Sequence, residues 1–186
     1  MSRASKFVVC WLIACFLTMV VCLFLGLSAV CQAGGPPKPR GFYKAEVLEI
    51  HDGDTPRVIL QSPLGDTVRW LRLDGADTPE IGQPWGREAL ARTAELIQGQ
   101  KLIIEITPAA PSYGRPIAII WLSDGRDLAQ VLVEEGLAWV DPRYARGARG
   151  KELKALQAQA KAARRGLWAD SAPIAPWKWR KGERGQ

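Results

Sequence analysis

The chain has 186 residues, a formal net charge of +6, four cysteines and a single histidine. Its length is typical of one domain with additional segments. All four cysteines lie within the first 31 residues, so the remainder contains neither a disulfide nor a thiolate metal site. The single histidine, His51, excludes His-ligated zinc sites, mechanisms that need two histidines and a Ser-His-Asp triad; we expect it at the surface or behind other site residues. The positive charge favours polyanionic partners without defining one.

The N-terminal segment, residues 1–33, contains an uncharged apolar run at residues 7–30, after Arg3 and Lys6. The run is longer than the apolar core of a cleavable signal, which is about 7–15 residues, and approaches the length that spans a bilayer. Small-x-small sites at Gly26-Leu27-Ser28 and Cys31-Gln32-Ala33 would also allow cleavage. Two interpretations therefore remain open: a signal peptide that is removed, and an uncleaved membrane anchor.

Lipid attachment at Cys31 is a third interpretation, which the bulky Val30 before the cysteine disfavours. Residues 34–41, GGPPKPRG, are rich in glycine and proline and predict a stiff linker. The folded domain is predicted over residues 42–170, and a tail rich in tryptophan and basic residues over 171–186.

The domain begins with segments of alternating polarity, which are typical of strands. We predict strands over 43–50, 57–62 and 67–73, with the turn PLGD between the second and third. Such a meander is antiparallel between neighbours, so its third strand runs parallel to its first.

The second half of the domain mixes helical and strand periodicity. Leu90, Thr93, Ala94 and Ile97 predict one face of a helix over 86–99. Strands over 101–107 and 115–122 follow, then helices over 127–136 and 150–166, the last with Leu153, Leu156, Ala160 and Ala163 on one stripe. The predicted fold class is therefore α+β: a five-stranded barrel, which leaves no exposed sheet edge, with about three helices and a preceding hydrophobic N-terminal helix.

Two acidic motifs lie at the ends of the first and third predicted strands. Asp52 and Asp54 belong to IHDGDTPRV, and Asp77 and Glu80 belong to RLDGADTPE. Either motif alone is typical of an ordinary turn or helix start. Because they end neighbouring strands on the same side, we expect the four carboxylates to converge. Their repulsion would require a hard cation, and oxygen-only ligands favour calcium or magnesium.

Two arginines accompany the carboxylates. Arg72 lies in the strand that leads to Asp77, and Arg115 ends the motif YGR. A surface ion pair is the ordinary role of an arginine, but its planar fork also matches phosphate. Carboxylates, a hard cation and two arginines together predict a site for a phosphodiester.

These motifs resemble the staphylococcal nuclease (thermonuclease) family over residues 43–168. DGDT, RLDGADTPE, GREA, YGR and LVEEGLAWV occur in the order of the family, and PIAPWKWRKGER is similar to the tail of many bacterial members. The resemblance implies an oligonucleotide-binding (OB) fold and Ca²⁺-dependent hydrolysis of phosphodiesters.

The resemblance also implies residue roles. Asp54, Asp77 and the backbone carbonyl of Thr78 match the calcium ligands, and Glu80 matches the carboxylate that activates water. The other matching positions have three roles: phosphate binding at Arg72 and Arg115, support of the metal at Asp52, and contact with phosphate or nucleotide at Tyr113 and Tyr144.

The expected substrate is DNA, RNA or both, with single strands preferred; no protein partner is inferred. The alternative is a non-catalytic nucleic-acid-binding OB-fold module, although such a domain would have lost some of the matching residues. Trp168, Trp177 and Trp179 stand among basic residues and either stack on bases or hold the tail against the domain. An exported domain is expected, either secreted or periplasmic after cleavage or anchored in the membrane.

Overall fold

The structure is a computed structural model, and it describes residues 41–182. The predicted N-terminal helix, the signal or anchor segment and nearly all of the linker lie outside these residues. Within them, no helix is long and apolar enough to cross a membrane.

Eight short strands, four α-helices and one 3₁₀ helix make up the described chain. The strands are β1 (Gly41–Ile50), β2 (Pro56–Gln61), β3 (Thr67–Trp70), β4 (Arg72–Leu73), β5 (Ala76–Asp77), β6 (Leu102–Ile106), β7 (Ile117–Trp121) and β8 (Trp139–Val140). The helices are α1 (Gly86–Ile97), α2 (Leu128–Glu134), α3 (Gly147–Ala162), the 3₁₀ helix Gly166–Ala169 and α4 (Pro176–Trp179). The helix beyond the three expected is α4, a single turn in the tail.

Six strands form one curled sheet in the order β3-β2-β1-β6-β7-β4, and β5 pairs with β8. All neighbours are antiparallel except β4 and β7, where Arg72 aligns with Ile117. Because β3 and β4 follow one another in the chain yet occupy opposite edges, the sheet must curl. The predicted mixed α+β class and the meander are confirmed.

The prediction of one continuous strand over 67–73 was wrong. The chain changes partners at Leu71, whose N–H donates to the carbonyl of Pro56 in β2, while the next N–H, that of Arg72, donates to Pro116 before β7. Both hydrogen bonds are 2.9 Å long. The break therefore carries Arg72 to the other edge of the sheet and directs the chain towards Asp77.

The core is built from apolar residues of the sheet strands together with residues of α1, α2 and α3. In α1 the buried positions are Gly86, Ala89, Thr93 and Ile97, so the expected inward face is shifted from Leu90 and Ala94. In α3, Leu153 and Ala160 are buried as predicted, whereas Ala163 is exposed and Gly150 is buried instead. The helix presents a glycine there because a Cβ on Gly150 would overlap the backbone of Ala145.

Candidate active site

The DGDT segment forms a tight turn between β1 and β2. His51 donates its N–H to the carbonyl of Thr55 at 3.1 Å, and Asp54 donates its N–H to Oδ1 of Asp52 at 3.3 Å. From α1, the Thr93 hydroxyl donates to the carbonyl of Gly53 at 2.8 Å. The turn is thereby held between strand and helix, and it points the Asp54 carboxylate inward. His51 itself is exposed and meets Trp70 edge to face, as expected for a surface histidine.

Asp54 and Asp77 meet at the guanidinium of Arg72. Arg72 Nη1 lies 2.6 Å from Asp54 Oδ1, and Nη2 lies 2.7 Å from Asp77 Oδ1. The Thr78 N–H donates to Asp54 Oδ2 at 2.9 Å. The three charged side chains are almost fully buried, so two of the four carboxylates expected to converge, those of Asp54 and Asp77, meet inside the domain.

Glu80 lies just beyond, on the loop that leads into α1. Its N–H donates to Oε1 of Gln83, and the Gln83 N–H donates to the Glu80 carbonyl at 2.8 Å. Gly86 packs directly under that carbonyl, where a Cβ would overlap it. The Glu80 side chain is 30% exposed, so it is more accessible to solvent than Asp54 and Asp77.

Arg115 reaches the same cluster from the turn before β7. Its Nη1 donates to the Thr55 hydroxyl at 3.2 Å, and that hydroxyl donates to Asp54 Oδ1 at 2.9 Å. The turn contains Tyr113 and Gly114 with positive φ, and the Tyr113 side chain is 92% exposed. The structure thus brings Arg115 to the carboxylates and leaves Tyr113 on the surface of the same turn.

Tyr144 lies near the cluster through an arginine. The Arg143 guanidinium lies 5.5 Å from the centre of the Tyr144 ring, and its Nη2 is 3.9 Å from Asp77 Oδ2. Arg143 is principally bound to the buried Asp141, at 2.6 Å. Tyr144 is half-buried beside this pair. In the described residues, its link to Asp77 runs through Arg143.

For each of the two aspartates, burial raises the pKa of the carboxyl group and neighbouring arginines lower it. Burial raises the pKa of Asp54 well above its usual range, and the Arg72 charge opposes this only in part. Burial would also raise the pKa of Asp77, but hydrogen bonds from Arg180 and the charge of Arg72 outweigh it and lower that pKa. Asp77 is therefore the more firmly ionised member of the pair.

Sequence reasoning missed several residues of this cluster. Arg180, from the tail, donates to Asp77 Oδ1 at 3.1 Å and to Asp77 Oδ2 at 2.7 Å, and it lies 2.5 Å from Glu80 Oε1. Thr55, Gln83 and Arg143 were also not predicted. The sequence signals for Arg180 were the basic residues of WKWRK and the resemblance of PIAPWKWRKGER to the family's tail. Neither connects Arg180 with Asp77, which lies 103 residues away in the chain.

The donor chemistry of the cluster suits a hard cation. Asp54, Asp77 and Glu80 supply only oxygen, and among the described residues the buried Thr78 hydroxyl lacks a hydrogen-bond partner. Asp77 and Glu80 already hold one cationic group, the guanidinium of Arg180. Within residues 41–182, no group of three or more His, Cys, Asp or Glu side chains is arranged so that it could hold a metal ion. The oxygen donors suit a hard cation in chemical type, and arginines contact them in this structure.

The fold is thus a mixed α+β domain whose curled sheet gathers carboxylates and arginines at one point, and the oxygen donors of that point suit a hard cation. The chain belongs to the family described as "Staphylococcal nuclease homologue", whose model matches residues 70–170. The resemblance identified from the motifs is thus confirmed.

Relatives occur in plants and bacteria. The chain is 36% identical over 115 residues to "Staphylococcal-like nuclease CAN1" of Arabidopsis thaliana, covering 62% of this chain and 34% of the relative. It is 33% identical over 134 residues to an "Uncharacterized endonuclease" of Escherichia coli O157:H7, covering 72% and 82%. To "Micrococcal nuclease" of Shigella flexneri it is 30% identical over 148 residues, covering 75% and 81%. The chain therefore spans only about a third of the plant relative but most of each bacterial one.

Proposed function

We propose that this protein is a calcium-dependent nuclease that hydrolyses the phosphodiester bonds of DNA, RNA or both, with single strands preferred. The observation that carries the proposal is the buried Arg72, which joins Asp54 to Asp77 beside Glu80. Family membership and relatives named as nucleases support it. We further assign the curled sheet to the OB fold.

In this proposal, Asp54, Asp77 and the backbone carbonyl of Thr78 hold calcium, and Asp52 supports them from the turn. Calcium, when bound, supplies positive charge that neutralises the phosphate and the clustered carboxylates. We choose calcium because the donors are all oxygen atoms and because the family resemblance implies it.

The protein's own side chains activate water, bind the phosphate and contact the nucleotide. Glu80, whose side chain is partly exposed, orients the attacking water and accepts its proton. Arg72, through the N–H groups that Asp54 and Asp77 leave available, and Arg115 bind the phosphate oxygens and stabilise the charge that develops on them during in-line attack. Tyr113 and Tyr144, on turns around the cluster, contact the phosphate and nucleotide.

The arrangement of Arg72 explains why a buried guanidinium suits this task. Asp54 and Asp77 each contact one of its terminal nitrogens, so its plane is fixed before substrate arrives. A fixed donor loses little conformational entropy when it binds phosphate, and it needs no reorganisation as charge develops.

The alternative is a nucleic-acid-binding module without catalysis. A module of this kind has no need to retain Asp54, Asp77, Glu80, Arg72 and Arg115 together, yet the chain has all five. In the structure, the rings of Trp168 and Trp177 pack against Trp139. This packing does not favour the stacking of these two rings on bases.

The deciding experiment presents single- and double-stranded DNA and RNA to the purified protein in calcium. Shortened products from at least one substrate would support the nuclease. Retarded but intact nucleic acid would instead establish the binding module.

A further inference from the structure

The tail folds back over the loop that carries Glu80, and we name residues 170–182 the C-terminal strap. Trp85 Nε1 donates to Asp170 Oδ2 at 3.0 Å, and Gln83 Nε2 donates to the carbonyl of Ile174 at 2.6 Å. Both donors belong to the segment that leads into α1. The strap is therefore fastened at its beginning, and its far end reaches the acidic cluster.

The far end of the strap delivers Arg180 to the cluster. Arg180 donates through two nitrogens to the two oxygens of Asp77 and also pairs with Glu80. Asp77 Oδ1 additionally accepts from Arg72. Both oxygens of a fully buried carboxylate are thus engaged by guanidinium groups, and burial makes that engagement strong.

A divalent cation on Asp77 would compete for the two oxygens that the arginines contact and would lie against their positive charge. We therefore expect one of the two arginines to leave that carboxylate when the cation binds. Arg72 is 6% exposed, lies on a sheet strand and is also bound to Asp54. Arg180 is 36% exposed and follows a single-turn helix, so it is the group that can leave.

We propose that the C-terminal strap is a tethered competitor of the divalent cation: Arg180 and the cation exclude each other from Asp77 and Glu80. The inference rests on the proposed function, because it assigns regulation to the same site. Nucleic acid would be cut only after the cation has displaced the end of the strap.

The packing around the strap agrees with a displaceable end. A cleft of about 350 Å³ remains between the strap and the domain, lined by Pro79, Trp85, Trp139 and Trp179 among others. Because packing is incomplete there, fewer van der Waals contacts are lost when the end of the strap is released. The strap itself forms one side of the cleft, so the shape of the cleft depends on whether the strap is docked against the domain.

The test compares Arg180→Gln with Lys181→Gln in the full-length chain, kept in detergent micelles because of its apolar N-terminal run. Both changes remove one positive charge from the strap, but within residues 41–182 the Lys181 ammonium pairs with neither Asp77 nor Glu80. Calcium affinity is measured by isothermal titration calorimetry without nucleic acid. If the strap is docked in about nine molecules of ten, Arg180→Gln binds calcium about tenfold more tightly than the unchanged protein. Lys181→Gln should match the unchanged protein.

Hydrogen exchange of the unchanged protein supplies a second readout that needs no variant. The amides of Trp179 and Arg180 donate within α4, at 3.0 and 2.9 Å. Calcium should accelerate their exchange, whereas unchanged or slower exchange would overturn the competition.

The outcomes separate the two proposals. Equal or weaker calcium binding by Arg180→Gln, together with calcium-dependent cleavage, would overturn the strap proposal alone. Absence of both calcium binding and cleavage in every variant would overturn the proposed function, and the strap proposal with it.

Discussion

Arg72 Nη1 lies 2.6 Å from Asp54 Oδ1, and only 6% and 1% of the two side chains are exposed. A buried ion pair is held well only when the remaining donors and acceptors are also satisfied. Here the second terminal nitrogen of Arg72 binds Asp77, and the second oxygen of Asp54 accepts from the Thr78 N–H. The pair therefore links the β1–β2 turn, β4 and β5 into one unit.

Replacing Arg72 with lysine tests this link. A single ammonium cannot present two parallel donors to Asp54 and Asp77, so one buried oxygen loses its partner. We expect the free energy of unfolding to fall by about 1–3 kcal/mol and kcat to fall by about 100-fold or more. Chemical denaturation and a nuclease assay measure the two effects separately.

Arg69→Lys is the matched control for Arg72→Lys. Arg69 lies in β3, and the hydrogen bond of its side chain is to the carbonyl of Val68 next to it. This variant should retain stability and kcat close to those of the unchanged protein. Equal kcat for both lysine variants would remove Arg72 from the proposed mechanism.

Glu80→Gln tests the proposed proton acceptor. The amide preserves the shape of the side chain but cannot take a proton from water, so kcat should fall by about 100- to 10,000-fold while the protein remains folded. Glu88→Gln, at an exposed position in the first turn of α1, makes the same chemical change away from the cluster. If Glu80→Gln turned over as fast as Glu88→Gln, another group would have to be the base.

Gly86 tests how the loop beneath Glu80 is held. A Cβ at this position would overlap the Glu80 carbonyl, so Gly86→Ala must shift either the start of α1 or the loop. We expect a loss of about 1–3 kcal/mol in the free energy of unfolding, accompanied by a lower kcat. At Gly82 in the same loop, a Cβ would meet nothing within 4 Å, and Gly82→Ala should leave both quantities nearly unchanged. Similar thermal unfolding of the two alanine variants would show that the contact is not tight.

Much of the fold could be predicted because its signals are local. Alternating polarity marks β1 and β2, and the shift to helical period marks α1. Strand order led to the prediction that Asp54 and Asp77 would meet, and both bind Arg72. The chain reaches Asp77 by the break at Leu71, however, and not by the continuous third strand from which the prediction was argued.

What escaped prediction depends on contacts between distant segments. The apolar pattern continues across Leu71, so nothing local reveals that the chain exchanges β2 for β7 there. The strands β5 and β8 have two residues each, which is too short for any period. Arg180 meets Asp77 only because the strap folds back, an event that local sequence does not encode.

The N-terminal segment remains a prediction, since it lies outside the described residues. Arg3 and Lys6 favour an N-terminus on the inner side, although Lys38 and Arg40 after the apolar run weaken that bias. A nuclease in the cytosol would threaten the host's own nucleic acid. Free calcium is also scarce in the cytosol, so a calcium-dependent nuclease is better placed outside it. We therefore propose an exported domain, either tethered by residues 7–30 or released near Ala33.

Protease added to intact spheroplasts tests this orientation. It should digest a tethered domain, while a released domain should be found in the medium. A domain that is protected until the membrane is lysed would show the opposite orientation.

The central claim is that clustered carboxylates, a calcium ion and two arginines together cleave phosphodiesters. The most direct measurement is the cleavage rate of a single-stranded DNA oligonucleotide by the unchanged protein, in calcium and then in a calcium-selective chelator. We expect cleavage in calcium, its loss in the chelator and its recovery when calcium is restored. Undiminished cleavage in the chelator would show that this protein does not use calcium for the reaction.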